Sequence, residues 1–166
     1  TTGIYTLSLH DALPILCQDK GKVPEGDYTI PFGVADIKKE GTDITLIGTS
    51  SMVQVALEAA DHLAQIGISA EVIDPRTILP LDKKTLIDSA IKTSRAIVID
   101  EGYASYGVTA EIASIIADGA FYHLETPVKR IGAMDVPIPF SPVLEDLTIP
   151  SSKMVVNMAK TLCGRS

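Results

Sequence analysis

The chain has 166 residues, of which 46% are hydrophobic and 21% charged, with no tryptophan. That is enough for one domain with a real core and too little for two comfortable ones. The net charge of −7 argues against a nucleic-acid partner, which demands a basic footprint. No run reaches the length that crosses a bilayer, so no membrane span is expected. Only Cys17 and Cys163 occur, with no CxxC and no His/Cys ligand spacing, so a disulfide scaffold or zinc site is not expected and a reducing cytoplasm is the default compartment.

The first residues differ in texture from the rest. Residues 1–16 fail as a signal peptide, because no basic start precedes the apolar stretch and His10, Asp11 and Pro14 interrupt it. Thr6 to Ile15, TLSLHDALPI, resembles the conceptual translation of a common short-read sequencing adapter. Residues 1–16 are therefore set aside from fold reasoning. Residues 17–27 are polar and rich in Gly and Pro and are expected to form a linker or arm. The domain proper is expected over residues 28–166.

Within it, Thr29–Gly33 and Val34–Lys38 are expected as short extended pieces broken at Pro31. Gly41-Thr42-Asp43 signals a turn, and Ile44–Gly48 a first central strand. Thr49, Ser50 and Ser51 offer hydroxyls to cap a helix from about Met52 to Gln65. Its buried face is marked by Val53, Leu57, Ala60, Leu63 and Ala64 at helical spacing, and Gly67 stops it where a left-handed residue is wanted. Ala70–Asp74 is the next strand. Asp82 is placed to cap a helix through Thr93, and Arg95–Glu101 forms another apolar strand. Gly102–Gly107 is expected to be a flexible loop. A helix over about Val108–Gly119 turns Ile112, Ile115 and Ile116 inward. Pro127–Ile131 is a short strand, Pro137–Pro142 a rigid extended loop, and Ser151 or Ser152 caps a last helix to about Leu162.

Strands alternating with helices predict an α/β fold: an open, mostly parallel twisted sheet with helices on both faces and right-handed crossovers. The near-continuous apolar runs, in place of a two-residue alternation, are what strands covered on both faces require.

In such a sheet ligands gather at the carboxyl ends of the strands. That edge should collect Gly48–Ser51, Asp74–Thr77, Asp100–Tyr106 and Gly132–Pro137. Gly48-Thr-Ser-Ser51 at a helix start is a place where backbone N–H groups hold an anion. It lacks the complete phosphate-loop patterns, and helix capping is the plainer reading. Asp100 and Glu101 are adjacent on a strand and so should face opposite ways, which disfavours a catalytic dyad. Arg76 is read as a salt-bridge partner of a neighbouring loop before an anion clamp. His10, His62 and His123 join no nucleophile, and neither a GxSxG elbow nor a Cys/His pairing occurs. The residues alone leave open a small ligand-binding module and a structural domain of a larger enzyme. A receiver-like module is disfavoured because no acidic cluster follows the first strand.

Several phrases then point one way: VPEGDYTIPFGVADIKKEGTDITLIG (Val23–Gly48), ALEAADHLAQIGISAEVIDPRTILPLD (Ala56–Asp82), IVIDEG (Ile97–Gly102), GVTAEIA (Gly107–Ala113), LETPVKRIGAMDVPIPFSPVLED (Leu124–Asp146) and IPS (Ile149–Ser151). In order and spacing the chain from about Gly21 onward resembles the C-terminal domain of the transketolase-like family. Nearest is the beta subunit of the decarboxylating component of 2-oxo acid dehydrogenase complexes, of the acetoin or pyruvate type. The resemblance implies an oxidoreductase part whose upstream pyrimidine-binding domain is missing. It implies no catalytic, cofactor or metal residue in this chain, with thiamine diphosphate and magnesium belonging to the assembled enzyme. Implied partners are an alpha subunit, a second beta subunit and the acyltransferase's subunit-binding domain. By motif position Glu125 and Asp135 are the implied docking residues. The tail Cys163-Gly-Arg-Ser166 departs from the family's, which puts a docking contact through the terminal carboxylate in doubt. A free-standing α/β interaction module and a transketolase or deoxyxylulose-phosphate synthase fragment are the alternatives.

Overall fold

The computed structural model describes residues 26–164; the expectations for residues 1–16 and for most of the linker lie outside them. The chain divides into two compact units between Pro31 and Phe32. Of the first, residues 26–31 are described and hold neither helix nor strand.

The second unit is a five-stranded sheet: β1 (Asp36–Lys39), β2 (Ile44–Gly48), β3 (Ala70–Asp74), β4 (Ala96–Tyr103) and β5 (Lys129–Ala133). Their order is β1-β3-β2-β4-β5, with β1 antiparallel to β3 and every other pair parallel. Helices α1 (Met52–Gln65), α2 (Lys83–Thr93), α3 (Val108–Gly119), α4 (Pro142–Glu145) and α5 (Ser152–Leu162) connect or follow the strands, and a 3-10 turn spans Phe121–His123.

Both faces of the sheet are packed, as the unbroken apolar runs predicted. Ile44, Leu46, Val72, Ile97 and Ile99 point to α1 and α5, where Ala56, Leu63, Val155 and Ala159 meet them. Ile47, Ile73 and Val98 point the other way, onto Leu86 and Ala90 of α2 and Ile112 and Ile116 of α3. Each fully buried Ile, Leu or Val contributes about 1.5–3 kcal/mol of transfer free energy, so these two layers dominate the stability.

Local signals fixed most boundaries. Asp82 caps α2, its Oδ1 accepting from Thr85 N at 3.1 Å, and Ser151 caps α5 by accepting from Met154 N. Gly67 follows α1 at φ +76°. Four expectations are corrected. Ala64 is exposed and Leu57 and Ile115 half-buried, while Met52, Ala56 and Ala59 line the inner face of α1 and Ala113 that of α3; the true stripes are rotated toward the strands they cover. The last strand begins at Lys129, later than Pro127, because a proline cannot donate to the β4 ladder. Phe32 and Gly33 form a turn, with Gly33 at φ +71°, in place of an extended piece. The rigid loop ends at Ser141, and Pro142 opens α4, where its missing N–H costs nothing.

Candidate functional site

The connection from β2 through α1 to β3 steps to one side of β2, whereas β3 reaches β4 on the other side. The crevice between the carboxyl ends of β2 and β4 is therefore the topological switch point, where this architecture holds ligands. A cleft of about 310 Å³ lies at this edge, lined by Thr49, Ser50, Asp74, Arg76, Asp100 and Val108 among others.

Several of its polar groups are bonded within the protein. Thr49 Oγ1 donates to Asp100 Oδ1, and Asp100 Oδ2 accepts from Gly102 N at 3.2 Å. Ser51 Oγ donates to Glu101 Oε2 at 2.5 Å and makes no cap to α1. Two of the three hydroxyls expected to cap α1, those of Thr49 and Ser51, thus reach across to β4. Asp100 and Glu101, expected to face apart, both take hydroxyls from this single loop, because the β4 register shifts between Ile99 and Tyr103. Arg76 forms a salt bridge, but to the start of β1 and not to a neighbouring loop, donating from Nη2 to Asp36 Oδ2 at 2.8 Å. Lys38, helped by Arg76, holds the Asp36 carboxyl below its usual range against the opposing push of burial. Arg76 N donates to Asp74 Oδ1 at 2.8 Å. Among the described residues of this edge, the acids Asp100 and Glu101 accept from the hydroxyls of Thr49 and Ser51.

Glu125 and Asp135 stand at opposite ends of β5, four residues before it and two after it, so the structure does not bring them together. Glu125 pairs with Arg95 Nη2, while Arg95 Nε donates to Leu162 O at 3.0 Å and Nη1 to Asp43 O at 3.3 Å. The guanidinium so knots the loop before β5, the start of β4 and the end of α5. Glu125 also lines a cleft of about 740 Å³ with Ala113, Ala117, Phe121, Val128 and Arg130. Asp135 accepts from Ser105 Oγ at 2.6 Å and borders a second cleft of about 490 Å³ with Tyr103, Tyr106, Val136 and Pro137.

The Gly102–Gly107 stretch, expected to be flexible, is tied down. Ala104 N donates to Ala133 O at 3.0 Å, Arg130 Nη1 donates to Ala104 O at 2.8 Å, and Ser105 holds Asp135. Sequence reasoning also missed the knot at Arg95 and the buried carboxylate of Glu71, which is 0% exposed and paired with Lys92. A glutamate within the run Ala70–Asp74 was a visible signal for the second; nothing local announced the first. His62 faces Glu58 at 3.7 Å on exposed surface, and His123 lies in the 3-10 turn. Among the described residues no three His, Cys, Asp or Glu side chains gather to hold a metal ion, and the carboxylates of the switch-point crevice are engaged as above. The described residues thus do not fit a magnesium-bound diphosphate.

A five-stranded, mostly parallel sheet covered by helices on both faces defines an α/β domain. This chain belongs to the family described as "Transketolase, C-terminal domain", which matches residues 33–155. It is 48% identical over 145 residues to the acetoin:2,6-dichlorophenolindophenol oxidoreductase subunit beta of Bacillus subtilis (strain 168), covering 87% of this chain and 42% of that protein. It is 43% identical over 142 residues to the mitochondrial pyruvate dehydrogenase E1 component subunit beta-1 of Arabidopsis thaliana, covering 86% of this chain and 39% of that one. A solved structure, "Split gene transketolase, inactive beta4 tetramer", superposes with a TM-score of 0.70 at 27% identity, covering 87% of this chain and 46% of that one. The chain spans about two-fifths of the length of these two curated relatives.

Proposed function

We propose that this chain is the C-terminal assembly domain of the beta subunit of a 2-oxo acid dehydrogenase complex of the acetoin or pyruvate type. It contributes subunit association and docking of the acyltransferase core, and oxidative decarboxylation occurs only in the whole enzyme, in the cytoplasm. The observation that carries this reading is the 48% identity to an acetoin-oxidoreductase beta subunit, set beside a switch-point crevice where Thr49 and Ser51 are bonded to Asp100 and Glu101. In the assembled enzyme thiamine diphosphate with magnesium would supply the carbanion chemistry, held by the alpha subunit and the beta subunit's pyrimidine-binding domain.

Docking is proposed to run through Glu125 and Asp135, which are exposed and acidic on a chain of net charge −7. A basic binding domain meets a favourable field there. Binding of the chain to the acyltransferase's subunit-binding domain, followed by titration calorimetry, tests this. Glu125→Lys is expected to weaken binding about tenfold or more, and unchanged affinity overturns the role of Glu125. The isolated chain is expected neither to bind thiamine diphosphate tightly nor to decarboxylate pyruvate, and turnover without added subunits refutes the reading. The likeness to a split-gene transketolase supports a transketolase fragment as the second reading. Restored transketolase activity on mixing with an N-terminal transketolase half would favour it.

A further inference from the structure

The cleft beyond β4 and β5 has a make-up that the docking reading does not account for. It is walled by Tyr103 and Tyr106 and closed by Asp135, with Val136 and Pro137 at its rim. Tyr106 is wholly exposed and Tyr103 is 44% exposed. Tyr106 sits at φ +58°, a left-handed conformation that a bulky side chain adopts only when its surroundings impose it. Those surroundings are built. The loop is pinned at Ala104 and Ser105 to Ala133, Arg130 and Asp135, and it lies so close on β5 that a Cβ at Gly132 would come within 2.9 Å of Ala104 Cα and N. The same pins aim the acid, because Ser105 donates through both Oγ, at 2.6 Å, and N, at 3.4 Å, to Asp135.

We propose that this cleft receives an arginine side chain of a protein partner, its guanidinium lying against the Tyr106 and Tyr103 rings and paired with Asp135. The planar, weakly hydrated guanidinium suits an aromatic face and a carboxylate at once. A protein occupant, in preference to a free small cation, is indicated by the exposed apolar side chains that follow along the same loop: Met134, Ile138 and Phe140. An arginine anchored within an apolar apron has the composition of an interface hot spot. The acidity of the chain favours the encounter. This inference rests on the reading of Asp135 as a docking residue and adds the tyrosines that set its specificity.

The test uses the full chain, isotope-labelled, titrated with N-acetyl-arginine N-methylamide and with the norleucine amide as an uncharged control, followed by NMR. Saturable shifts of the Tyr103 and Tyr106 rings and of Asp135 are expected with the arginine amide alone. Tyr106→Phe should keep the affinity, whereas Tyr106→Leu should weaken it about threefold to fivefold. Equal responses to the two amides overturn the proposal, and so does a Tyr106→Leu titration that matches the wild type. Because the probe is not the acyltransferase domain, loss of acyltransferase docking with retained arginine binding would count against that partner and leave the cleft's specificity standing.

Discussion

At the scale of single residues, Glu71 carries the largest electrostatic liability. It is fully buried on β3, pairs through Oε2 with Lys92, and leaves Oε1 without a partner. Lys92 also donates to Glu40 Oε2 at 2.8 Å, so one ammonium serves two carboxylates. Removing it strands a charge in a low-dielectric layer beside Thr45 and Thr93. Lys92→Met is therefore expected to cost about 3 kcal/mol in urea unfolding. The double change Glu71→Leu with Lys92→Met should recover most of that loss; failure to recover would show that packing of the lysine stem is the cause. Glu40 first, and Glu71 second, raise the Lys92 pKa above its ordinary value. This contribution is complete below the ordinary lysine value near 10.5 and fades as pH climbs through the raised one. Wild-type stability should thus fall in that alkaline range, and in Lys92→Met this component of the fall should be absent.

At the scale of elements, two devices hold the loops to the sheet. Asp82 caps α2 and also accepts from Ala35 N at 3.0 Å through Oδ2, which receives Thr85 Oγ1 at 2.8 Å as well. One cap thus fastens the approach to β1 onto the start of α2. Burial pushes its carboxyl up, but the bonds from Ala35 and Thr85 outweigh it and hold the pKa low. Its stabilisation is present above the ordinary aspartate value and is lost as pH falls through the lowered one. Asp82→Ala should cost about 1–2 kcal/mol at neutral pH and flatten the acid limb of a stability–pH profile; an unaltered acid limb would assign that limb to other carboxylates. The second device is the contact of the Gly102–Gly107 loop with Gly132. Gly132→Ala forces backbone against backbone, and about 1–3 kcal/mol of destabilisation is expected, with faster amide exchange at Ala104 and Ser105. Exchange unchanged at those amides would mean that the loop is held from elsewhere.

At the scale of the whole molecule, the segment beyond β5 carries a run of exposed apolar side chains. Phe140, Val143, Leu144 and Leu147 are all exposed beyond β5, more apolar surface than a solitary helix end leaves uncovered by chance. The proposed assembly role turns this into an expectation: the chain should self-associate in sedimentation experiments as concentration rises, and Phe140→Ser should shift it toward monomer. A monomer at every concentration would leave those side chains as sheet cover only. The two clefts beside Glu125 and Asp135 lie toward opposite ends of β5, so docking through both needs a partner that reaches along that edge strand.

Sequence by itself determined the layered architecture. The apolar runs at Ile44–Gly48, Ala70–Asp74 and Ala96–Asp100, with caps at Asp82 and Ser151 and a stop at Gly67, are local statements that burial and backbone geometry enforce wherever the chain goes. The phrases from Val23 to Ser151 likewise pointed to the family that residues 33–155 match. Only the tertiary structure decided the long-range partners: Ser51 turned to Glu101, Arg95 knotted to Glu125, Lys92 beneath Glu71, and Ser105 aiming Asp135. The hydrogen-bonding needs of these side chains are met 21 to 50 residues away along the sequence. Such pairings depend on strand order and register, and no local pattern encodes them. The fixed Gly102–Gly107 loop makes the same point, since a glycine-bounded stretch is flexible until β5 supplies the carbonyl and guanidinium, and the turn after it the carboxylate, that pin it.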